Sequence, residues 1–313
     1  MHSPADSSAS RSSLPRPALS DRSQRLLTGL STEDRLIEIG PSYNPVAAKA
    51  AGWNTRVVDH GSRAELVAKY STAPEAPTER IEDVDVVWRG GPLEAGFAAG
   101  DAGSFTALIA SHVLEHVPDP IGFFQSAATL LHPMRGSIRL ALPDKRLCFD
   151  LFRPAATTGR VLAAHRGDGD RHTYADLFDH VAYLTRLAGR AAWAREPLTA
   201  LVLDHTLEQA RGNADAGTAA TAGYVDCHAW QFTPASFELL VLELGVLGEI
   251  DWRIDWLEPQ PAMEFLVSLS RPRHAFAAIE DLQARRLELL RRMLLEMREV
   301  TEQLLDAMPA TVR

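Results

Sequence analysis

The segment SHVLEHVPDP, which begins at Ser111, concentrates side chains that can carry protons or bind a cation. His112 and His116 stand four residues apart, and Glu115 directly precedes the second histidine. Such a set suggests a metal pair, but the HExxH order of zinc metalloproteases is missing. We therefore interpret His116 as a residue that caps or packs the following turn, and His112 as a candidate pocket residue and candidate base.

A second charged segment, LPDKRLCFDLFR, begins at position 142 and directly follows an apolar run. One interpretation is a polar pocket at the end of a strand, with Asp144 as a candidate base. The substrate-binding side chains would then be Lys145, Arg146 and Asp150. The alternative is salt bridging at the surface, and spacing alone does not separate the two.

A third segment, YVDCHAWQF from position 224, mixes an acid and a histidine with aromatic residues. Asp226 and His228 are close enough along the chain to pair, with the carboxylate orienting the imidazole as a base. Trp230 and Phe232 would stack on the face of a sugar, and Tyr224 would contact the same substrate. A structural histidine beside core aromatic residues is the alternative.

A loop with one glycine, EIGPSYNP, starts at Glu38 at the end of the first apolar run. In open parallel sheets, ligands bind outside the carboxyl ends of the strands, and glycine lets the backbone pass close beneath them. Asp59 follows the second apolar run, 19 residues after Gly40, where a carboxylate can accept both hydroxyls of a ribose. Together the two features predict an adenosine-containing ligand.

Five short apolar runs separated by helical stretches must position these side chains. They are predicted as strands at 35–39, 56–58, 85–88, 106–110 and 137–142, with an alanine-rich helix at 46–51 and another helix at about 121–131. Near-continuous apolar strands spaced by helices are typical of parallel βαβ units that are covered on both faces. The predicted fold class is therefore α/β.

The strand pattern stops in a block from about 150 to 223, which we interpret as a helical insertion that forms a lid over the substrate. Helices are predicted at 174–193 and 197–210, followed by a loop of small residues at 211–223. The closing part is predicted as a helix at 234–244 capped by Thr233, two strands at 248–256 and 263–270, and one long helix at 276–308.

The long C-terminal helix has apolar residues near heptad spacing, namely Ile279, Leu282, Leu289, Met293, Val300 and Leu304. Either it packs on its own domain or it pairs two copies in a homodimer. The predicted organisation is a disordered tail at 1–22, one domain at 23–271 and this helix at 272–313.

Composition excludes several classes of function. The chain has 313 residues, of which 46% are hydrophobic, enough for a sizeable core. Its net charge of −9 argues against binding to nucleic acid or to an anionic membrane. No apolar run is long enough for a membrane span, and the first 22 residues contain no secretory signal. The two cysteines form neither a disulfide framework nor a zinc cluster, so we expect a cytoplasmic protein with a small-molecule partner.

The order of these segments resembles that of the class I S-adenosylmethionine-dependent methyltransferases. The resemblance rests on EIGP, the acid after the second strand, ASHVLEHVPDP and LLHPMRGSIRLALPD, and covers about 36–142. It implies S-adenosylmethionine as the cofactor and a Rossmann-like sheet of seven strands whose last strand is antiparallel. The implied cofactor contacts are Glu38, Gly40, Pro41, Ser42, Asn44, Asp59, Leu93, Ser111 and His112.

Two departures from the family pattern concern individual contacts. Pro41, Ser42 and Tyr43 stand where the family loop usually has further glycines. Gly91 stands where the family often has an acid that contacts adenine. The backbone from Gly90 to Leu93 would then make the adenine contact instead.

The PDKR-x-x-F-D pattern is similar to that of a branch that methylates sugars in polysaccharide synthesis. The predicted function is therefore O-methylation of a small polar acceptor, a saccharide such as a mannoside or an oligosaccharide. An alcohol is weakly acidic, so the reaction needs a base or a metal. The candidate bases are His228, Asp144 and, third, His112, and the alternative is Mg²⁺ held by Asp144 and Asp226.

Two other functions stay open. A non-catalytic methyltransferase-like subunit would pair through the C-terminal helix and bind the cofactor without turnover, or bind none. A nucleotide-dependent oxidoreductase would bind NAD, but it would need a GxGxxG loop, which the sequence lacks.

Overall fold

Most of the apolar runs form strands in the computed structural model, which describes residues 20–73, 75–167, 169–219, 224–271 and 281–307. In chain order the described strands are β1 (Arg35–Ile39), β2 (Asn54–Asp59), β3 (Val86–Val87), β4 (Ala107–Ser111), β5 (Ser137–Pro143), β6 (Thr185–Leu187), β7 (Leu201–Leu203), β8 (Arg253–Pro259) and β9 (Glu264–Ser270).

Seven of these strands form one sheet in the order β3-β2-β1-β4-β5-β9-β8. β1 to β5 are parallel, whereas β9 lies antiparallel between β5 and β8. The predicted Rossmann-like sheet of seven strands with an antiparallel last strand is thus confirmed. Its order reverses between β1 and β4, which places a ligand-binding crevice at their carboxyl ends.

The helices are α1 (Asp21–Leu26), α2 (Arg63–Tyr70), α3 (Pro120–Leu130), α4 (Thr158–Arg166), α5 (Tyr174–Ala182), α6 (Leu207–Gly217), α7 (Pro234–Val246) and α8 (Leu282–Ala307). Local chemistry sets several of their starts. The Asp119 side chain accepts from Gly122 at the start of α3, and Thr233 forms a capping box with Ser236 at the start of α7. The predicted cap at Thr233 is confirmed.

The core lies on both faces of the sheet, as parallel strands require. Residues of α3 and α7 such as Phe124 and Leu240 pack on one face, and Leu26 of α1 packs on the other. Full burial of each such side chain contributes about 1.5–3 kcal/mol. These contacts fix the strand ends from which the loops of the crevice begin.

The predicted helical insertion contains the helices α4, α5 and α6, but the expectation that it holds no strand was wrong. α5 ends at Ala182, and β6 and β7 follow as a two-stranded antiparallel hairpin where helices were expected. Ala188 and Gly189 begin the connection with φ angles of 49° and 80°, which end any helix there. α6 begins after Thr206, whose capping box with Gln209 sets its start, and it continues into the predicted loop. Residues 220–223 of that loop lie outside the described part.

The predicted alanine-rich helix at 46–51 was also wrong, because only a short 3₁₀ turn forms at Lys49–Ala51. The N–H groups of Val46 and Ala47 donate to the buried carboxylate of Glu38 at 2.6 and 2.9 Å. The segment is therefore held in a loop, and Gly52, with a φ of 85°, ends it.

The C-terminal helix packs on its own domain, in agreement with the first of the two interpretations. Leu289 and Val300 are buried, and Val300 packs against Leu147 and Leu187. Glu296 accepts from the N–H of Ala235 at the start of α7 at 3.1 and 3.2 Å. Another face of α8 leaves leucines exposed, namely Leu287, Leu290, Leu294 and Leu305. Residues 272–280, with Ile279, and 308–313 lie outside the described part.

The end of the predicted tail is docked. Residues 1–19 lie outside the described part, but Arg22 in α1 donates to both oxygens of Glu264 at 2.6 and 2.9 Å. Among the described residues no helix combines the length and the hydropathy that crossing a bilayer requires.

Candidate active site

A cleft of about 450 Å³ opens at the carboxyl ends of β1, β2 and β4, where the sheet order places a crevice. Six of the predicted site residues line it: Gly40, Ser42, Asp59, His112, Tyr224 and Asp226. The cleft therefore brings together the glycine loop, the acid after β2, the segment after β4 and the segment that follows the insertion.

The backbone after β1 requires glycine at one position. Gly40 has a φ of 65°, and a Cβ atom there would lie 2.8 Å from Cγ2 of Val113. Ser42 also has a positive φ, 49°, and its N–H donates to Oδ2 of Asp59 at 3.2 Å. Two predicted cofactor residues of this loop do not line the cleft, since Pro41 is buried and Asn44 is exposed.

Glu38 does not face the cleft, which corrects its prediction as a cofactor contact. Its carboxylate accepts from the N–H groups of Val46 and Ala47 and is 2% exposed. Burial raises its pKa to about 7, although these two hydrogen bonds act in the opposite direction. Glu38 fixes the loop beside the cleft instead.

Asp59 closes β2 and lines the cleft although it is only 3% exposed. Oδ1 accepts from the N–H of His60 at 2.8 Å and lies 2.7 Å from Nδ1 of the same residue. A carboxylate has about four acceptor positions, and Ser42 and His60 use up to three of them, so at least one is left for a ribose hydroxyl.

The wall beyond β3 consists of Trp88, Arg89 and Gly90, but not of the predicted Leu93. Leu93 is 1% exposed and belongs to the core, and its N–H donates to Oγ of Ser126 at 3.2 Å. The side chain of Leu93 packs in the core although its segment runs beside the cleft. The sequence pattern does not distinguish a residue buried in this way from one whose backbone contacts a ligand.

The segment after β4 turns sharply at His112, whose φ of 54° is strained for a residue with a Cβ. Nε2 of His112 lies 2.9 Å from Oε2 of Glu264 at the start of β9. Burial raises the pKa of Glu264, but its contacts with His112 and Arg22 outweigh burial and lower the pKa to about 2. The predicted contact at Ser111 is not formed, because Ser111 does not line the cleft and its hydroxyl accepts from Arg22 at 2.6 Å.

His116 lines the cleft, which its interpretation as a residue that caps or packs the following turn did not predict. Nδ1 of His116 lies 2.9 Å from Oδ1 of Asp226. Burial lowers the pKa of His116, but the carboxylates of Asp226 and Glu115 outweigh burial and raise it above its ordinary value. The i, i+4 spacing of His112 and His116 was the feature of the sequence that could have placed His116 at the cleft.

The predicted pair of Asp226 and His228 does not form. Nδ1 of His228 lies 2.6 Å from Oδ2 of Asp150, and Asp150 also accepts from Arg153 at 2.9 Å. His228 is 7% exposed and does not line the cleft; its ring centroid lies 4.4 Å from that of His116. Asp150 therefore positions an imidazole and does not line the cleft.

The PDKR segment is buried scaffold, which corrects its prediction as a substrate pocket. Oδ1 and Oδ2 of Asp144 accept from Arg146 at 2.8 and 2.5 Å, and Nζ of Lys145 donates to the carbonyl of Leu151 at 2.6 Å. None of the three charged residues lines the cleft. Since Arg146 occupies both oxygens of Asp144, the predicted Mg²⁺ site with Asp226 is not formed.

The aromatic residues near position 230 also differ from the prediction. Trp230 is 3% exposed and Phe232 is 1% exposed, and both belong to the core. Nε1 of Trp230 donates to the carbonyl of Val117 at 2.7 Å. Tyr224 does line the cleft, and its ring stacks on His60 with centroids 4.7 Å apart.

Comparison with protein families matches residues 12–199 to a family described as a methyltransferase domain. Because the match spans more than half of the 313 residues, the chain belongs to this methyltransferase family. Its sheet order and cleft are those of a class I S-adenosylmethionine-dependent methyltransferase, as the sequence predicted. A search of curated proteins gave no significant match.

Three solved structures that resemble the chain are distant from it in sequence. An S-adenosylmethionine-dependent methyltransferase from Mesorhizobium loti is 15% identical, with 81% of this chain and 100% of that chain covered and a TM-score of 0.39. A putative one from Listeria monocytogenes is 12% identical, with 80% and 95% covered and a TM-score of 0.38. A putative zinc-dependent alcohol dehydrogenase from Rhodobacter sphaeroides is 16% identical, with 82% and 91% covered and a TM-score of 0.45.

Proposed function

We propose that this methyltransferase transfers the methyl group of S-adenosylmethionine to a hydroxyl of a small polar acceptor of the saccharide class. The observation that carries the proposal is one cleft that joins the carboxylate of Asp59 to a wall formed by His112 and His116. The Asp59 carboxylate is suited to ribose hydroxyls. The wall of His112 and His116 is suited to a polar acceptor that must lose a proton.

The residues at the ends of β1 and β2 fit the cofactor. Asp59 would accept from the ribose hydroxyls, and Gly40, which has no side chain of its own, lines the cleft with its backbone. The hydroxyl of Ser42 is buried and has no hydrogen-bond partner in the described part of the chain, so it is available to a polar group of the ligand. When bound, the cofactor supplies an electrophilic methyl group, and the protein supplies alignment.

The acceptor side of the cleft is polar. His112, His116 and Asp226 line it, together with Arg171 and His172. Of the three predicted bases, only His112 lines the cleft, since Asp144 and His228 do not. We assign the base to His112, because Glu264 fixes its ring and the strained backbone sets its direction.

Ligand binding tests the cofactor half of the proposal. S-adenosylhomocysteine should raise the Tm of the protein by several degrees at saturating concentration, whereas NAD should not. Asp59→Asn should abolish this shift. Asp204→Asn is the matched control, since Asp204 pairs with Arg186 on the insertion hairpin away from the cleft. A shift with NAD alone would support the oxidoreductase alternative and overturn the proposal.

Turnover tests the acceptor half. A panel of mono- and oligosaccharides should yield S-adenosylhomocysteine, and the methylated product should carry the label on oxygen. Amines of similar size should give none. Cofactor binding without turnover of any saccharide would contradict the proposal and favour the non-catalytic alternative.

We also propose that two copies of the chain pair through the exposed leucines of α8. Leu287, Leu290 and Leu294 share one face of the helix at i, i+3 and i+7 spacing. This face differs from the face of Leu289 and Val300, which is already packed on the domain.

A further inference from the structure

Glu115 stands out as a buried carboxyl group without a hydrogen bond in the described part of the chain. Its exposed fraction is 0%, and neither carboxylate oxygen has a hydrogen-bond partner in the described part of the chain. Removing an ionised carboxylate from water is strongly unfavourable unless a cation or hydrogen bonds compensate. Such an oxygen therefore marks a position where a further group belongs.

Three imidazoles surround one oxygen of this carboxylate. Oε1 of Glu115 lies 3.6 Å from Nδ1 of His112, 3.8 Å from Nε2 of His116 and 4.0 Å from Nε2 of His228. These distances are too long for hydrogen bonds, so three imidazole nitrogens lie near this oxygen without bonding to it.

Each of these imidazoles is held on its far side by a second carboxylate. The pairs are His112 with Glu264 at 2.9 Å, His116 with Asp226 at 2.9 Å and His228 with Asp150 at 2.6 Å. In each ring the nitrogen that lies nearest to Glu115 is therefore not the nitrogen that contacts the far carboxylate. This carboxylate–histidine arrangement is the one that orients histidine ligands around metal ions.

We propose that Glu115, His116 and His228 bind a divalent transition-metal ion. Their ligand atoms all lie within 4.8 Å of one another. Bonds of about 2.1 Å in a tetrahedral site place ligand atoms roughly 3.3 Å apart, so binding draws the three side chains inward by around half an ångström. Two nitrogens and one oxygen favour Zn²⁺ or Co²⁺, whereas Mg²⁺ and Ca²⁺ prefer oxygen ligands.

The backbone holds the two halves of this metal site together. The N–H groups of Ala229 and Trp230 both donate to the carbonyl oxygen of Glu115, at 2.8 and 3.2 Å. His228 directly precedes these donors, and His116 directly follows the acceptor. Ligands from two distant parts of the chain are thus fixed in register before an ion arrives.

The charges around the site also favour a cation. The carboxylates of the cluster are Glu115, Asp150, Asp226 and Glu264, and the cations paired with them are Arg153, Lys69 and Arg22. Four carboxylates thus lie around the three imidazoles, and three of these carboxylates are paired with a lysine or an arginine, whereas Glu115 is not.

The ion would lie at the wall of the cleft, because His116 lines it. A Lewis acid there lowers the pKa of a bound hydroxyl, and His112 beside it would take the proton. This role rests on the proposed function, whereas metal binding itself does not.

Cobalt spectroscopy on the chelator-treated full-length chain tests the site without cofactor or acceptor. One Co²⁺ per chain should give the visible absorption of a four-coordinate ion, and Zn²⁺ but not Mg²⁺ should displace it. Glu115→Gln and His116→Asn should each lose this absorption, and each should bind Co²⁺ at least tenfold more weakly. Both variants should keep the thermal shift with S-adenosylhomocysteine, which shows that they fold.

His165→Asn is the matched control, because His165 pairs with Asp119 outside the cluster at 2.8 Å. It should bind Co²⁺ as the unmodified protein does. Absence of the Co²⁺ band from the unmodified protein, or an unchanged band in Glu115→Gln, would overturn the metal site. Neither outcome affects the thermal shift, so failure of the metal proposal is distinguishable from failure of cofactor binding.

Discussion

Nδ1 of His228 lies 2.6 Å from Oδ2 of Asp150, a residue 78 positions earlier in the chain. Asp150 is 1% exposed and also accepts from Arg153. Burial raises the pKa of Asp150, but the charges of His228 and Arg153 outweigh burial and lower it to about 2. The carboxylate is therefore ionised throughout the physiological range and locks one imidazole in place.

Asp150→Asn should lower the free energy of unfolding by about 3 kcal/mol at neutral pH, because Arg153 loses its buried counter-charge. The pKa of Asp150 is lowered from 3.8 to about 2 in the folded state, so its stabilisation is present above pH 4 and is lost as pH falls toward 2. Urea unfolding should thus show that the difference in free energy of unfolding between the unmodified protein and Asp150→Asn becomes smaller in acid. Asp204→Asn removes a surface pair and should cost less than about 1 kcal/mol. Equal losses in both variants would contradict the prediction.

Glu38→Gln should flatten the pH dependence of stability between about 4.5 and 7. Burial raises the pKa of Glu38 from 4.5 to about 7, so the folded state holds a proton that the unfolded chain releases in this range. Stability is therefore fully present below pH 4.5 and declines by about 3 kcal/mol as pH rises through 7. Unfolding curves at several pH values check this. The prediction fails if both proteins show the same slope.

His112→Asn should lower kcat at least 100-fold while the thermal shift with S-adenosylhomocysteine persists. Asparagine tolerates a positive φ better than most residues, so the turn at 54° should survive the loss of the imidazole. Glu264→Gln, which leaves the ring but removes its charged partner, should reduce kcat less and move the pH profile. An unchanged kcat in His112→Asn would remove this residue as the base.

Leu294→Glu should convert a dimer into a monomer in size-exclusion chromatography with light scattering. Leu294 is 73% exposed on α8, and a charge there would face the same apolar stripe of the second copy. Leu203→Glu on the insertion hairpin changes a leucine that is 57% exposed and should leave the dimer intact. A monomeric unmodified protein would exclude the proposed pairing.

Much of the sheet could be predicted because its strands are local apolar runs, and the acid after β2 and the glycine after β1 follow those runs directly. The pairs within the site could not be predicted, because each joins residues far apart in sequence. The sequence suggested that Asp226 pairs with His228, because they are two residues apart. In the structure His116 lies between them and contacts both. The PDKR segment reads as a polar pocket, yet Asp144 and Arg146 neutralise each other and are buried together. The hairpin of β6 and β7 has only three residues in each strand, too few for a clear alternation.

The contact of Arg22 with Glu264 spans 242 positions, and Glu264 in turn holds His112. The cleft wall is thus held by the first helix and the last strand of the described residues, with the turn after β4 between them. During synthesis on the ribosome, His112 emerges about 150 residues before the carboxylate that orients it. The first five strands can pair earlier, but a chain interrupted before β9 would keep the edge of β5 open and the turn at His112 unanchored. The orientation of His112 is therefore set only once β9 has been synthesised, after the strands whose ends form the cleft.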